Sequence, residues 1–141
     1  MKFLYILLII TAAGCADKIT SLDDLNKTNN PRSGNLTHLA RLSEIQKQVF
    51  NSKCAIGGCH DNASKAEGLD LSSGHSYNNL VLVQSQLYPS FKLVMPGDPS
   101  QSLLARLLTG ETQPQMPVDG SLASDEIDSI KVWISNGAKN D

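Results

Sequence analysis

Two cysteines separated by four residues and followed at once by a histidine, Cys54-Ala-Ile-Gly-Gly-Cys59-His60, constrain this chain more than any other stretch. Thiols at that spacing next to an imidazole suit covalent haem attachment. Each cysteine adds across a vinyl group as a thioether, and the adjacent imidazole then lies under the iron. The commoner arrangement has two residues between the cysteines. Here Gly57-Gly58 gives the two extra residues room to loop outward at no steric cost. Met116, in Gln115-Met116-Pro117, lies 56 residues beyond His60 and can return over the opposite face to complete a His/Met axial pair.

The same residues carry other readings. Cys54 and Cys59 can close a small disulfide loop in an exported protein. Cys54, Cys59 and His60, with His75 as a fourth, make up a zinc-type donor set, although neighbouring Cys-His side chains diverge from a tetrahedron. Met95, also followed by proline, rivals Met116, and His75 is a bis-histidine candidate within a Gly/Ser-rich loop. His38 falls before the domain proper or in its first turn.

The N-terminus bears on which reading applies. Met1-Lys2 precedes an unbroken apolar run, Phe3 to Ile10, that ends in Thr11-Ala12-Ala13-Gly14-Cys15. The run is too short to span a bilayer, which takes about 20 residues, and it reads as a secretory signal. Ala12-Ala13-Gly14-Cys15 resembles the lipobox of bacterial lipoproteins. That resemblance implies cleavage after residue 14, acylation of Cys15, and a lipid anchor in the cell envelope. Export then leaves Cys54 and Cys59 as one pair that must be oxidised, metal-bound or covalently modified. Residues 15–36 are polar and turn-rich, as in Asn29-Asn30-Pro31, and read as a flexible linker. Residues 37–141 are expected to form one small domain.

Three segments of that domain have helical periodicity. Leu39, Leu42, Ile45, Val49 and Phe50 recur at three- and four-residue steps and lead directly into Cys54. A second helix is expected from Asp98-Pro99-Ser100-Gln101, with Asp98 as N-cap and Pro99 at the first position. Leu103, Leu104, Leu107 and Leu108 form its stripe and Gly110 its stop. The third opens at Ser124-Asp125-Glu126, buries Ile127, Ile130, Trp133 and Ile134, and ends at Gly137. A short helix around Tyr77 to Gln84 is a further candidate. No stretch alternates enough for a strand, so the fold class is all-α.

Several motifs in order sharpen this picture: Cys54–His60, Gly68-Leu69-Asp70-Leu71, Pro96-Gly97-Asp98-Pro99-Ser100-Gln101-Ser102-Leu103, Met116-Pro117 and Trp133-Ile134-Ser135-Asn136-Gly137-Ala138. Residues 49–138 resemble the small cytochrome c domains of bacterial lipoproteins and planctomycete-type cytochromes. The resemblance implies a helical domain wrapped around one haem c, with Cys54 and Cys59 as thioether attachments, His60 as proximal ligand and Met116 as distal ligand. It implies a single-electron carrier, not an enzyme, that serves a redox partner protein. Peroxidase-like or ligand-binding chemistry belongs to the case in which Met116 leaves the iron open.

Charge and composition exclude other classes. The net charge is −2, and loss of residues 1–14 removes only Lys2, leaving 11 basic against 14 acidic residues. With no basic patch and 5% aromatics, nothing marks a nucleic-acid partner. Neither a nucleophile elbow nor a phosphate-cradling glycine loop is present.

Overall fold

The structure, a computed structural model, describes residues 40–141. The signal sequence, Cys15, the linker and His38 lie outside the described residues. Helix α1 (Leu42–Ile45) continues without a break into a π-helical stretch, Gln46–Cys54. The remaining helices are α2 (Ser76–Leu80), α3 (Leu103–Thr109) and α4 (Ser124–Ser135), with 3₁₀ turns at Ala66–Gly68 and Pro99–Gln101. Among the described residues, β-pairing is confined to isolated bridges, Val81 with Val94, Gln84 with Lys92 and Lys92 with Ser102.

The first helix differs from its expected α-winding. The buried or half-buried positions Ile45, Val49-Phe50 and Cys54-Ala55 fall at steps of four to five residues. Widening the helix to i→i−5 hydrogen bonds keeps these positions on one side. The Ala55 amide donates to the Phe50 carbonyl at 2.7 Å, so the wide winding persists to the first cysteine. Sustained π-winding is uncommon and concentrates near functional positions.

The second helix also starts later than its cap suggests. Asp98 does cap, accepting from the amides of Ser100 (2.9 Å) and Gln101 (3.1 Å). The turn it opens ends at Ser102, whose backbone is extended (φ −92°, ψ 116°). Tertiary pairing overrides the local helix signal there. The Leu103 amide donates to Lys92 and the Leu104 amide to Leu93, both at 3.0 Å. The apolar stripe consequently divides: Leu103, Ala105 and Leu108 are buried, while Leu104 and Leu107 are half-buried. Gly110, at φ 76°, ends α3 in the left-handed conformation that favours glycine.

The Asp98 carboxyl is held below the usual carboxylate range, mainly by the Ser100 hydroxyl and then by the backbone amides. A depressed folded value stabilises the fold above the unfolded pKa, about 3.9 for aspartate. That stabilisation is lost as pH falls through the lower folded value. Asp98→Asn keeps a capping oxygen and removes the titration. Urea midpoints of the two proteins are expected to differ at pH 7 and to converge below the carboxylate range.

Helix α4 runs where its early acids and apolar spacing place it, with Ile130, Trp133 and Ile134 buried and Ile127 half-buried. Glu126 Oε2 accepts from the Ala123 amide at 2.9 Å, closing the first turn. The core joins α4 to the first helix through Leu42, Ile45, Val49, Phe50, Ile130, Trp133 and Ile134, with Leu71, Leu80, Val94 and Leu108 adding the intervening segments. Two polar ties hold the ends of this pair. The Lys53 ammonium donates to both Glu126 carboxylate oxygens at 2.6 and 2.7 Å. At the other end, Asp141 accepts from the Leu42 amide through Oδ1 (3.0 Å) and from the Ser43 amide through its main-chain oxygen (2.9 Å). Residue 141 therefore supplies the N-terminal cap that Arg41 cannot.

Candidate functional site

The π-helical stretch delivers Cys54 half-buried at the margin of the core. The loop that follows is short and closed. The Cys59 amide donates to the Ile56 carbonyl and the His60 amide to the Cys54 carbonyl, each at 3.0 Å. Ile56, Gly57 and Gly58 are exposed, while Cys59 and His60 are half-buried like Cys54. A Cβ added at either glycine would meet nothing within 4 Å. The exposed linker residues thus lie against open space, with the half-buried Cys54, Cys59 and His60 on either side of them in the chain.

Only one of the two glycines is conformationally required. Gly58 has φ 86°, a left-handed backbone, whereas Gly57 does not. Gly58→Ala is expected to lower stability by about 1–2 kcal/mol, and Gly57→Ala to change it by less than about 0.5 kcal/mol. Paired urea denaturation curves check this, and equal losses would refute the assigned loop conformation.

Burial pushes the Cys54 thiol up to about 11, with the Glu126 carboxylate and Cys59 adding to the rise and Lys53 opposing it. Both cysteines are free. In the folded domain Cys54 stays protonated at neutral pH, the unreactive form for exchange or alkylation.

His60 is anchored through its ring as well as its backbone. Its carbonyl accepts from the Leu71 amide at 2.8 Å, and its Nδ1 lies 3.2 Å from the Ala66 carbonyl. A carbonyl can only accept, so this contact is a hydrogen bond when Nδ1 carries the proton. Nε2 is then left with its lone pair, the arrangement by which ligating histidines are fixed in tautomer and orientation. The Ala66 amide in turn donates to the Cys59 carbonyl at 2.9 Å, so one residue, through its two main-chain groups, ties the second cysteine to the histidine ring.

Met116 lies against α3, in the loop that follows it. Its amide donates to the Leu107 carbonyl at 3.0 Å, and it is half-buried against the core. Backbone bonds link a run of half-buried apolar residues on this side. The Leu93 amide donates to Val83 (2.8 Å), the Leu104 amide to Leu93 (3.0 Å), and Leu107 and Met116 follow within the next helical turn and loop. Leu69, Tyr77, Val81, Ala55 and Ile127 rest half-buried on the same core.

The rival ligands are placed otherwise. In the bend before the Asp98 turn the Met95 amide donates to the Ser102 hydroxyl at 2.9 Å, and its carbonyl accepts from the Asp98 amide at 3.0 Å. The side chain of His75 is 61% exposed, with Nδ1 3.9 Å from the buried carboxylate of Asp70. Among the described residues, no three His, Cys, Asp or Glu side chains gather as metal ligands. The structure does not bring Cys54, Cys59, His60 and His75 together as a zinc centre. Two cavities, of about 340 and 290 Å³, lie at Arg41, Trp133 and Asp141 and at Asp98, Arg106 and Lys131. Neither is lined by the cysteines, His60 or Met116; donor chemistry rather than concavity marks the candidate site.

The donor set fits a covalently held haem. Two free thiols, an imidazole with Nδ1 engaged and Nε2 available, and a thioether among half-buried apolar side chains are the groups such a cofactor uses. The Ala66 carbonyl has no signature in the sequence, because it acts through its backbone at a position any residue could supply. Compared with family models, with curated proteins and with solved structures, the chain gives no match in any of the three.

Proposed function

We propose that residues 37–141 form a single-haem c-type electron-transfer domain, tethered to a bacterial envelope membrane through a lipid on Cys15. The observation that carries this reading is the His60 loop. Cys54, Cys59 and His60 belong to one loop closed by the His60 amide on the Cys54 carbonyl, and the Ala66 carbonyl 3.2 Å from Nδ1 would leave Nε2 as the ligand atom. Cys54 and Cys59 would hold haem c through two thioethers, with His60 and Met116 as axial ligands. The cofactor would supply the one-electron Fe(II)/Fe(III) couple, and a thioether ligand favours the reduced state. The chain's own residues orient the imidazole, cover the group with apolar surface and keep both ligands in place. That suits a carrier, and a redox partner protein is part of the proposal.

The test is a pyridine haemochrome spectrum and a haem-stained denaturing gel on protein from a host with haem-attachment machinery. A haem band surviving denaturation, with both vinyls saturated, is expected. A singly unsaturated spectrum would leave one cysteine unattached. A colourless protein with a Cys54–Cys59 disulfide would overturn the proposal in favour of a haemless interaction module.

A further inference from the structure

Among the described residues, four other than glycine have positive φ: Lys65 (45°), Glu67 (51°), Leu82 (63°) and Ala138 (48°). Two of the four flank Ala66, the residue whose carbonyl meets His60 Nδ1. Lysine and glutamate lack the short polar side chain that lets asparagine or aspartate occupy this region with local support. Both side chains are exposed, so side-chain burial does not impose the conformation. The surroundings over-determine it instead. The Lys65 amide donates to Asp61 (3.0 Å), the Ala66 amide to Cys59 (2.9 Å) and the Gly68 amide to Lys65 (2.7 Å). The Lys65 ammonium also lies 3.7 Å from the buried Asp70 carboxylate, which itself accepts from the Ser72 amide at 2.9 Å. Backbone strain that persists under such constraint gathers where an atom must be placed.

We propose that Lys65 and Glu67 are positioning residues for His60: their left-handed backbones turn the Ala66 carbonyl onto Nδ1, which fixes the ring as the Nδ1–H tautomer and presents Nε2 as its ligand atom. The purpose of the device rests on the haem reading. The tautomer itself does not, because it is a property of the chain before any cofactor is attached.

The test is a long-range ¹H–¹⁵N NMR spectrum of the folded, haem-free protein with the ring neutral, His60 being assigned by comparison with His60→Gln. The Nδ1–H form is expected to dominate. In Lys65→Val/Glu67→Val the Nδ1–H to Nε2–H ratio should fall about tenfold, the change that losing one hydrogen bond of ordinary net strength produces. In Lys65→Asn/Glu67→Asn, which tolerates the left-handed region, it should be kept. If the double-valine chain does not fold, Glu67→Val alone, at an exposed site, is read in the same way. An Nε2–H form in the unsubstituted protein, or an unchanged ratio in a folded valine variant, overturns the proposal. The haem-stained gel reports separately. A protein with the Nδ1–H form and no haem band keeps the clamp and loses the haem reading, and the converse pair of results does the reverse.

Discussion

Under the proposed His60/Met116 ligation, replacing Met116 by alanine is expected to lower the reduction potential of the haem-loaded protein by on the order of 100 mV, within the span of about 0.8 V that axial ligands cover. The expectation follows from ligand softness. A thioether stabilises Fe(II), and water or an open position in its place does so less. The substitution should also let the ferrous protein bind carbon monoxide, which the unsubstituted protein should not. Structural loss is a separate matter. Met116 is half-buried and the backbone bond to Leu107 does not depend on its side chain, so the helices should survive. Met95→Ala is the control, since the Met95 main chain serves the Ser102 bend. A potential that follows Met95 and ignores Met116 would reassign the distal ligand.

The second large effect is on stability. Trp133 is buried and its Nε1–H donates to the Lys139 carbonyl at 2.8 Å. Trp133→Ala is expected to cost about 3–5 kcal/mol, which is comparable with the whole stability of a domain this size, about 5–15 kcal/mol. Without haem, such a variant should lose its cooperative urea transition. Trp133→Phe retains most of the ring but leaves the Lys139 carbonyl without its donor. Its expected loss is about 1–2 kcal/mol, with the transition preserved. Similar midpoints for the two variants would show that ring volume is not what α4 contributes to the core.

What the sequence made legible was periodic and local. Ile130, Trp133 and Ile134 recur at helical steps, and the acids at Asp125 and Glu126 mark a start, so α4 lies where those signals fall. Asp98 caps for the same reason. The misses share another cause. Ser102 leaves the helix because Lys92 and Leu93, distant in sequence, take the next two amides. The π-winding before Cys54 answers to packing pairs four to five residues apart, which look like ordinary helical spacing until the partner surface is known. Cys54, Cys59, His60 and Met116 stand out as residue types. The Ala66 carbonyl and the left-handed turn at Lys65 and Glu67 do not, because backbone atoms carry no letter.

The cap that Asp141 places on α1 has a consequence in time. An isolated helix as short as the segment leading to Cys54 is marginal in water, and the residue that satisfies its first amides is synthesised 99 positions after Leu42. A chain emerging from a ribosome can form neither that cap nor the α4 packing beneath it until Asp141 has been made. During that interval Cys54 is not yet buried, and its thiol keeps the ordinary acidity of an exposed cysteine. Chemistry at the Cys54 sulfur is therefore expected to be easiest on the nascent chain, before the completed fold buries it.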